Sequence, residues 1–347
     1  MRGDMNEQAL MHRAVELSLL GRGLTYPNPI VGAVIASHDG KILAQGFHQG
    51  KEHAEILALD ELEQSATAHN DLKLFVTLEP CNHHGKTPPC SEAILTRGRE
   101  LGITEVIYAV SDPNPIAEGG AAKIREGGIK TTLLNFPEAR FANRDWLTKI
   151  ALGRARMVWK VATSLDGAIA AADGSSKWIT SPASRDDVRQ ERSNSDAILT
   201  GTGTVLADDP SMLGSERNPI RILFGEREMP RDQKIFSPGS ETITVQSRNF
   251  DDLLAAIRDR GFNRVFVESG PTLGSALFRA GLIDEILLYQ APTILGSDRR
   301  FTKGIDLARI EDQIKLRSEE VTEIGGDIKR LLFLENEMNK ELSCSPA

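Results

Sequence analysis

The chain has 347 residues, 40% of them apolar and 26% charged, with a formal net charge of −8. That length suits two domains with cores of their own, while no apolar run nears the roughly 18 residues of a membrane-spanning helix and the opening MRGDMNEQAL lacks a secretory pattern, so a cytoplasmic protein is expected. Residues 1–150 carry 15 Lys and Arg against 19 Asp and Glu, and residues 151–347 carry 26 against 30, so neither half has the basic excess of a nucleic-acid binder.

Residues 6–20 place Leu10, Ala14 and Leu17 at helical spacing and stop before Gly-Arg-Gly, a C-terminal cap signal. The extended runs IVGAVIAS and KILAQGF are joined by His38-Asp39-Gly40, which reads as a hairpin turn. A helix over about 53–64, the strand LKLFVTL, a helix over about 90–101, the strand ITEVIYAV, a helix over about 118–127 and the strand IKTTLL follow. Such alternation implies a parallel or mixed sheet covered by helices on both faces. Residues 138–154 read as a helix leading into a linker near 150–156. A second α/β pattern succeeds it, with strands in DAILTG, IRILFG, RVFVES and EILLYQAP and helices in SRDDVRQERS, DDLLAAIRDR and TLGSALFRA. The expected domains are residues 1–150 and 156–338.

The first half concentrates its chemistry in HAE, residues 53–55, and LEPCNHHGKTPPC, residues 78–90. Three cysteines, with Cys344 in a polar tail, do not make a disulfide framework. His53 and Glu55 would diverge in mid-helix, but at a helix N-terminus both can face one pocket. Cys81 ends a strand, and Cys90 begins a helix, where the macrodipole favours a thiolate. Two thiolates, one imidazole and an open position suit catalytic Zn2+, which lowers the pKa of a water while a non-ligand carboxylate moves its proton. Glu55 has the chemistry for that shuttle, the division of labour known for zinc deaminases. A closed structural zinc site would instead need a fourth ligand, His83 or His84, and leaves Glu55 without a role. A redox pair would call for C-x-x-C spacing, whereas eight residues separate these cysteines.

In the second half, KVATSLDGAIAAADGSSKWITS (160–181), RSNSDAILTGTGTVLADDP (192–210) and VESGPTLGSALF (267–278) stand out. ESGPTLGSALF runs from a strand through a Gly-rich turn into an apolar helix, so backbone N–H groups at the helix start are available to a diphosphate. The alternative is an ordinary strand-to-helix turn. Asp208 is a candidate acid, since reducing an imine or carbonyl needs a proton beside the hydride.

PNPIVGAVI at 27–35, HAE, TLEPCNHHGKTPPC and DPNP at 112–115 resemble the deaminase half of the bifunctional riboflavin-biosynthesis deaminase/reductase family. The three later stretches resemble its reductase half. The resemblance covers nearly the whole chain, and implies a cytidine-deaminase-like three-layer α/β/α domain followed by a dihydrofolate-reductase-like α/β domain. It implies Zn2+ on His53, Cys81 and Cys90, a proton shuttle at Glu55, and pyrimidine and ribose-phosphate contacts at Asn28, His83 and Lys86. For NADPH it implies Ala162, Trp178, Thr204 and Asp208 with the turn Gly270, Pro271, Thr272, Leu273, Gly274, Ser275 and Ala276. It places Lys160, Ser176, Arg192 and Glu268 on the substrate side, Arg192 being suited to a phosphate by its fork of donors. A homodimer or homotetramer acting on a phosphorylated pyrimidine, with no nucleic-acid or membrane partner, completes the expectation. After Asp208-Asp209-Pro210 the family has a Leu and then an Arg; this chain reads SMLGSERNP, with Met212 and Leu213 in the apolar role and Arg217 displaced. Rival readings are a monofunctional deaminase with a degenerate reductase half, and a nucleic-acid-editing deaminase.

Overall fold

A computed structural model describes residues 2–65, 69–84, 88–335, 339 and 342. The chain forms two compact units that divide between Leu152 and Gly153. The first contains α1 (Arg2–Leu19), β1 (Gly32–Ala36), β2 (Ile42–Phe47), α2 (Ala54–Glu63), β3 (Leu72–Val76), α3 (Cys90–Ala93), β4 (Ile103–Tyr108), α4 (Gly120–Glu126), β5 (Lys130–Leu133), α5 (Pro137–Ala142) and α6 (Arg144–Leu152). Its five strands run in the order β2-β1-β3-β4-β5. The β1–β2 and β1–β3 pairs are antiparallel, and β3–β4 and β4–β5 are parallel.

β1, Gly-Ala-Val-Ile-Ala, is buried at all five positions, as a strand covered on both faces must be. α1 lies so close to it that a Cβ on Gly32 would fall 2.0 Å from Ala14 O. Ile35, Leu59, Leu62, Leu74, Val106 and Ile124 form the core between sheet and helices. The helix expected over 90–101 is interrupted by a π-turn at Ile94–Gly98. The single helix expected over 138–154 is two helices. Asn143, between α5 and α6, accepts from Ile30 N (3.0 Å) and donates to Ile30 O (2.6 Å), and this buried two-bond clamp holds the chain at the break.

The second unit contains β6 (Arg156–Thr163), α7 (Pro182–Ser193), β7 (Ala197–Gly201), α8 (Thr202–Asp208), β8 (Ile220–Phe224), β9 (Thr242–Val245), α9 (Phe250–Asp259), β10 (Arg264–Val267), α10 (Pro271–Arg279), β11 (Glu285–Gln290), β12 (Leu316–Ile324) and β13 (Asp327–Leu334). Eight strands run in the order β12-β13-β11-β6-β10-β7-β8-β9. The run from β11 to β9 is parallel, and β13 pairs antiparallel with β11 and β12. Four elements here escape sequence periodicity. β9 is only four residues long. β12 and β13 form a hairpin whose outer strand is mostly exposed and charged, and α8 opens on Thr-Gly-Thr, a poor helix start. β6, β10 and β7 are the sheet's centre, where Val158, Leu199, Val265 and Phe266 are fully buried.

Candidate active sites

In the first unit His53 is the N-cap of α2, with extended backbone (φ −75°, ψ 154°), and Glu55 lies in the first turn. Their offset there lets both side chains turn toward Cys90, the first residue of α3. Cys81, in the loop after β3, accepts a hydrogen bond from Cys90 N at 3.4 Å. His53 Nδ1 lies 3.1 Å from Cys90 Sγ and 3.6 Å from Cys81 Sγ. All three donor atoms fall within 4.8 Å of one another, and among the described residues no fourth His, Cys or carboxylate joins them. Tetrahedral zinc holds N and S ligands about 3.5 to 3.8 Å apart, so the donor set fits the ion and leaves one position open. His84 instead faces Glu92, at 3.4 Å. A closed four-ligand site therefore finds no support among the described residues.

The electrostatics suit a cation. The Cys81 thiol is held down to about 4, first by its hydrogen bond with Cys90 and further by His53. Cys90 is pushed up by the same bond and by burial. His53 is raised to about 9, chiefly by its bond with Cys81. The cluster thus pairs a Cys81 thiolate with a protonated His53 beside a Cys90 thiol, and a divalent cation would displace the protons of His53 and Cys90. Glu55 is 3% exposed, and burial pushes its carboxyl up to about 6. A carboxyl near neutrality can both take and give a proton.

Of the other expected residues, His83 has a buried Nδ1 without a partner among the described residues. Asn28 is exposed and donates its N–H to Thr25 O at 2.8 Å. Lys86 lies outside the described residues. Two groups escaped the sequence reading. His48 is 3% exposed, its ring centroid is 5.4 Å from that of His53, and its Nε2 is buried without a partner among the described residues. Asp112 is pushed up to about 6 by burial. The signal for His48 was its place five residues before His53; for Asp112 it was the DPNP motif itself.

The second unit holds a cavity of about 670 Å3. Lys160, Ala162, Ser176, Trp178, Arg192, Thr204, Asp208, Glu268, Gly270 and Pro271 all line it. Thr272, Leu273, Gly274, Ser275 and Ala276 are not among the lining residues: they form the first turns of α10. Gly274 lies against the Trp159 ring, and Ser275 Oγ accepts from Lys303 N at 2.8 Å. Glu268 is the hub of the polar wall. It receives Arg192 Nε at 2.5 Å and Nη2 at 3.0 Å, with Lys160 Nζ at 3.7 Å. Burial raises its pKa, but the two cations outweigh that and hold it below the ordinary value. Asp208 is half-buried, 3.9 Å from Lys177 Nζ.

Nearby features fit a dinucleotide. Gly270 precedes α10 without a side-chain cap bond and donates its N–H to Thr204 Oγ1 at 3.1 Å. Ser269 Oγ and Trp159 Nε1, on lining residues, are buried without partners among the described residues. Met212, 2% exposed, and Leu213 both line the cavity. The displaced Arg217 is turned away to donate to Ser193 O (2.7 Å) at the end of α7. The sequence reading missed Arg185 and Arg189, although with Arg192 they stand at i, i+4 and i+7 on one helical face.

Comparison with known proteins matches each unit to a known family. Residues 4–110 match the cytidine and deoxycytidylate deaminase zinc-binding region, and residues 155–330 match the RibD C-terminal domain. The chain is 38% identical over 329 residues to riboflavin biosynthesis protein RibD of Mycobacterium tuberculosis, covering 92% of this chain and 94% of that one. It is 36% identical over 371 residues to RibD of Escherichia coli, covering 93% and 98%. Among solved structures, a diaminohydroxyphosphoribosylaminopyrimidine deaminase/5-amino-6-(5-phosphoribosylamino)uracil reductase of Thermotoga maritima superposes with a TM-score of 0.87 at 30% identity, covering 96% of this chain and all of that one. RibD of Acinetobacter baumannii superposes with a TM-score of 0.82 at 32% identity, covering 96% and 99%.

Proposed function

The chain belongs to the RibD family of bifunctional deaminase/reductases of riboflavin biosynthesis, and on that premise we propose that its two sites act in succession on one phosphorylated pyrimidine. Residues 1–150 would deaminate 2,5-diamino-6-(ribosylamino)-4-pyrimidinone 5'-phosphate, and residues 156–338 would reduce the ribosyl group of the product to ribityl. The observation that carries this reading is the open three-donor cluster with the buried Glu55 beside it, in a chain that also holds the Glu268-centred cavity.

His53, Cys81 and Cys90 would hold Zn2+, which would supply Lewis acidity toward a water. Glu55 takes the proton of the attacking water and delivers it to the departing amine. His83, whose buried Nδ1 has no partner among the described residues, Asn28 and Lys86 hold the pyrimidine and its ribose phosphate. In the second unit NADPH would supply a hydride to the ribose carbon attached to nitrogen, whose bond to the ring oxygen opens as that oxygen takes up a proton. Ala162, Trp178, Thr204, Asp208 and the turn at Gly270 and Pro271 receive the cofactor, with Thr272 to Ala276 supporting that turn from α10. Lys160, Ser176, Arg192 and Glu268 orient the sugar, and Asp208 supplies the proton that accompanies reduction. Cys81 and Cys90 bind metal only as reduced thiols, which supports a cytoplasmic setting; among the described residues no helix is long and apolar enough to cross a membrane. A homodimer or homotetramer without nucleic-acid partner completes the proposal.

The test supplies the purified chain with the deaminated intermediate and NADPH. NADPH oxidation with formation of the ribityl product is expected. Ammonia release from the diamino substrate with no NADPH oxidation would leave only a deaminase with a degenerate second half.

A further inference from the structure

The phosphate of the reductase substrate falls to Arg192 when the sequence alone is read, yet the structure commits Arg192 elsewhere. Its Nε and Nη2 both go to Glu268, and its Nη1 donates to Leu213 O at 3.0 Å. Lys160 shares the same carboxylate, Lys234 Nζ lies 3.3 Å from Asp209, and Lys177 Nζ is 3.9 Å from Asp208. Arg217, displaced in the sequence, bonds main-chain carbonyls at the end of α7. Every acidic side chain lining the cavity is thereby matched by one of these cations.

Two lining cations meet no lining carboxylate, Arg185 and Arg189, four residues apart on α7. Residues at that spacing are neighbours on one helical face, so two guanidinium groups can converge on one anion. Arg185 lies over the Trp178 ring at 4.6 Å and donates to Thr180 O at 2.7 Å. Its guanidinium has no carboxylate partner among the described residues. Among the described residues Arg189 pairs only with Asp186 on its own helix, and both side chains are more than half exposed. Such a pair contributes little in water and yields readily to a stronger anion. The other face of α7 is fixed. Asp187 accepts from Tyr289 Oη at 2.5 Å and lies 2.7 Å from Lys329 Nζ, while Glu191 meets Lys329 at 2.9 Å and Arg264 at 3.1 Å. A helix anchored by its acids on one side holds its arginines toward the cavity on the other.

We propose that Arg185 and Arg189 are the phosphate-monoester clamp of the reductase cavity. Guanidinium groups match the geometry of a phosphate through paired N–H donors. The phosphate is the 5'-phosphate of the sugar or the 2'-phosphate of the cofactor, and the chemistry is common to both. Arg192 becomes a positioning residue for Glu268. The inference rests on the reductase reading above for its turnover arm, but its binding arm stands without it.

The test compares Arg185→Gln, Arg189→Gln and the double variant with the unaltered chain. Calorimetry at low salt measures ribose 5-phosphate against ribose, and steady-state reduction measures the phosphorylated intermediate against its dephosphorylated form, each with NADPH and NADH. About a tenfold loss of ribose 5-phosphate affinity is expected for each single variant, with ribose unchanged and ammonia release intact. A KM that rises only for the phosphorylated intermediate assigns the clamp to the sugar phosphate; one that rises for NADPH but not NADH assigns it to the cofactor. Equal losses with and without either phosphate, no loss at all, or no binding of ribose 5-phosphate to the unaltered chain overturns the proposal. If the chain oxidises no NADPH but the variants still lose ribose 5-phosphate, the reductase reading fails while the clamp stands.

Discussion

Gly274→Ala tests how α10 holds the cofactor end of the cavity. A Cβ on Gly274 would lie 2.2 Å from Cζ2 and 2.3 Å from Cε2 of Trp159, against an ordinary contact of at least 3.4 Å. The ring cannot step aside. Trp159 is 1% exposed, with the Phe301 and Phe278 rings centred 5.7 and 6.4 Å away. Overpacking of this kind costs about 1–3 kcal/mol, and the better helix preference of Ala returns about 1 kcal/mol. With a 2.2 Å approach at the upper end of that range, the net loss of about 2 kcal/mol lowers the melting temperature of a unit this size by about 4–8 °C. Because α10 must shift, Gly270 and Pro271 move with it, so the KM for NADPH should rise while ammonia release is unchanged. Gly203→Ala is the control: it too lies in a helix, but its Cβ would meet nothing within 4 Å, so stability should hold or rise slightly. Differential scanning calorimetry and NADPH titration read both effects. A Gly274→Ala protein with unchanged melting temperature and unchanged KM would refute the close packing of α10 on Trp159.

Arg156 and Glu285 are both fully buried and bonded at 2.5 Å. Glu285→Leu, which takes that carboxylate from the buried arginine and leaves Asn339 as its neutral acceptor, should cost about 3–5 kcal/mol in urea unfolding, and Arg156→Met/Glu285→Leu distinctly less; equal losses would contradict the pairing. Glu268 gives a pH signature. Its folded pKa lies below the ordinary value because Arg192 and Lys160 outweigh burial, so its stabilisation is present above about pH 4.3 and is lost as pH falls through the folded value. The melting-temperature gap between the unaltered chain and Glu268→Gln should therefore be widest near neutrality and close in acid, and a gap that stays constant down to about pH 3 would show that the charge is not what stabilises.

The parts legible in the sequence were those with local causes. The hairpin at His38–Gly40 and the helix starts at His53 and Cys90 follow from turn and helix-end chemistry within a few residues. Of the candidate zinc donors, His53 and Cys90 sit at helix starts, where a side chain can leave its element's face, whereas Cys81 lies in the loop five residues beyond β3 and not at the strand end expected of it. What escaped depended on distant partners. Nothing near Asn143 signals the break between α5 and α6, which comes from Ile30, 113 residues away. The β12–β13 hairpin was hidden because a mostly exposed outer strand carries no apolar alternation. Sequence likewise cannot register that Arg192 pairs with Glu268, 76 residues on. The turn after Gly270 was read as uniformly facing the cofactor, yet the helix periodicity of α10 sends Gly274 toward Trp159 and Ser275 toward Lys303.

The central claim is that Glu55 moves the proton of deamination without itself binding the metal. Glu55→Gln keeps the volume of this 3%-exposed side chain and removes only its capacity to carry a proton. The decisive measurement follows three quantities in the same preparation: bound zinc, ammonia release from the diamino substrate, and NADPH oxidation on supplied deaminated intermediate. The account predicts full zinc, full NADPH oxidation and ammonia release reduced by about 10²- to 10⁴-fold. Unchanged ammonia release with zinc retained would remove Glu55 from the mechanism, and loss of zinc would make it a ligand instead.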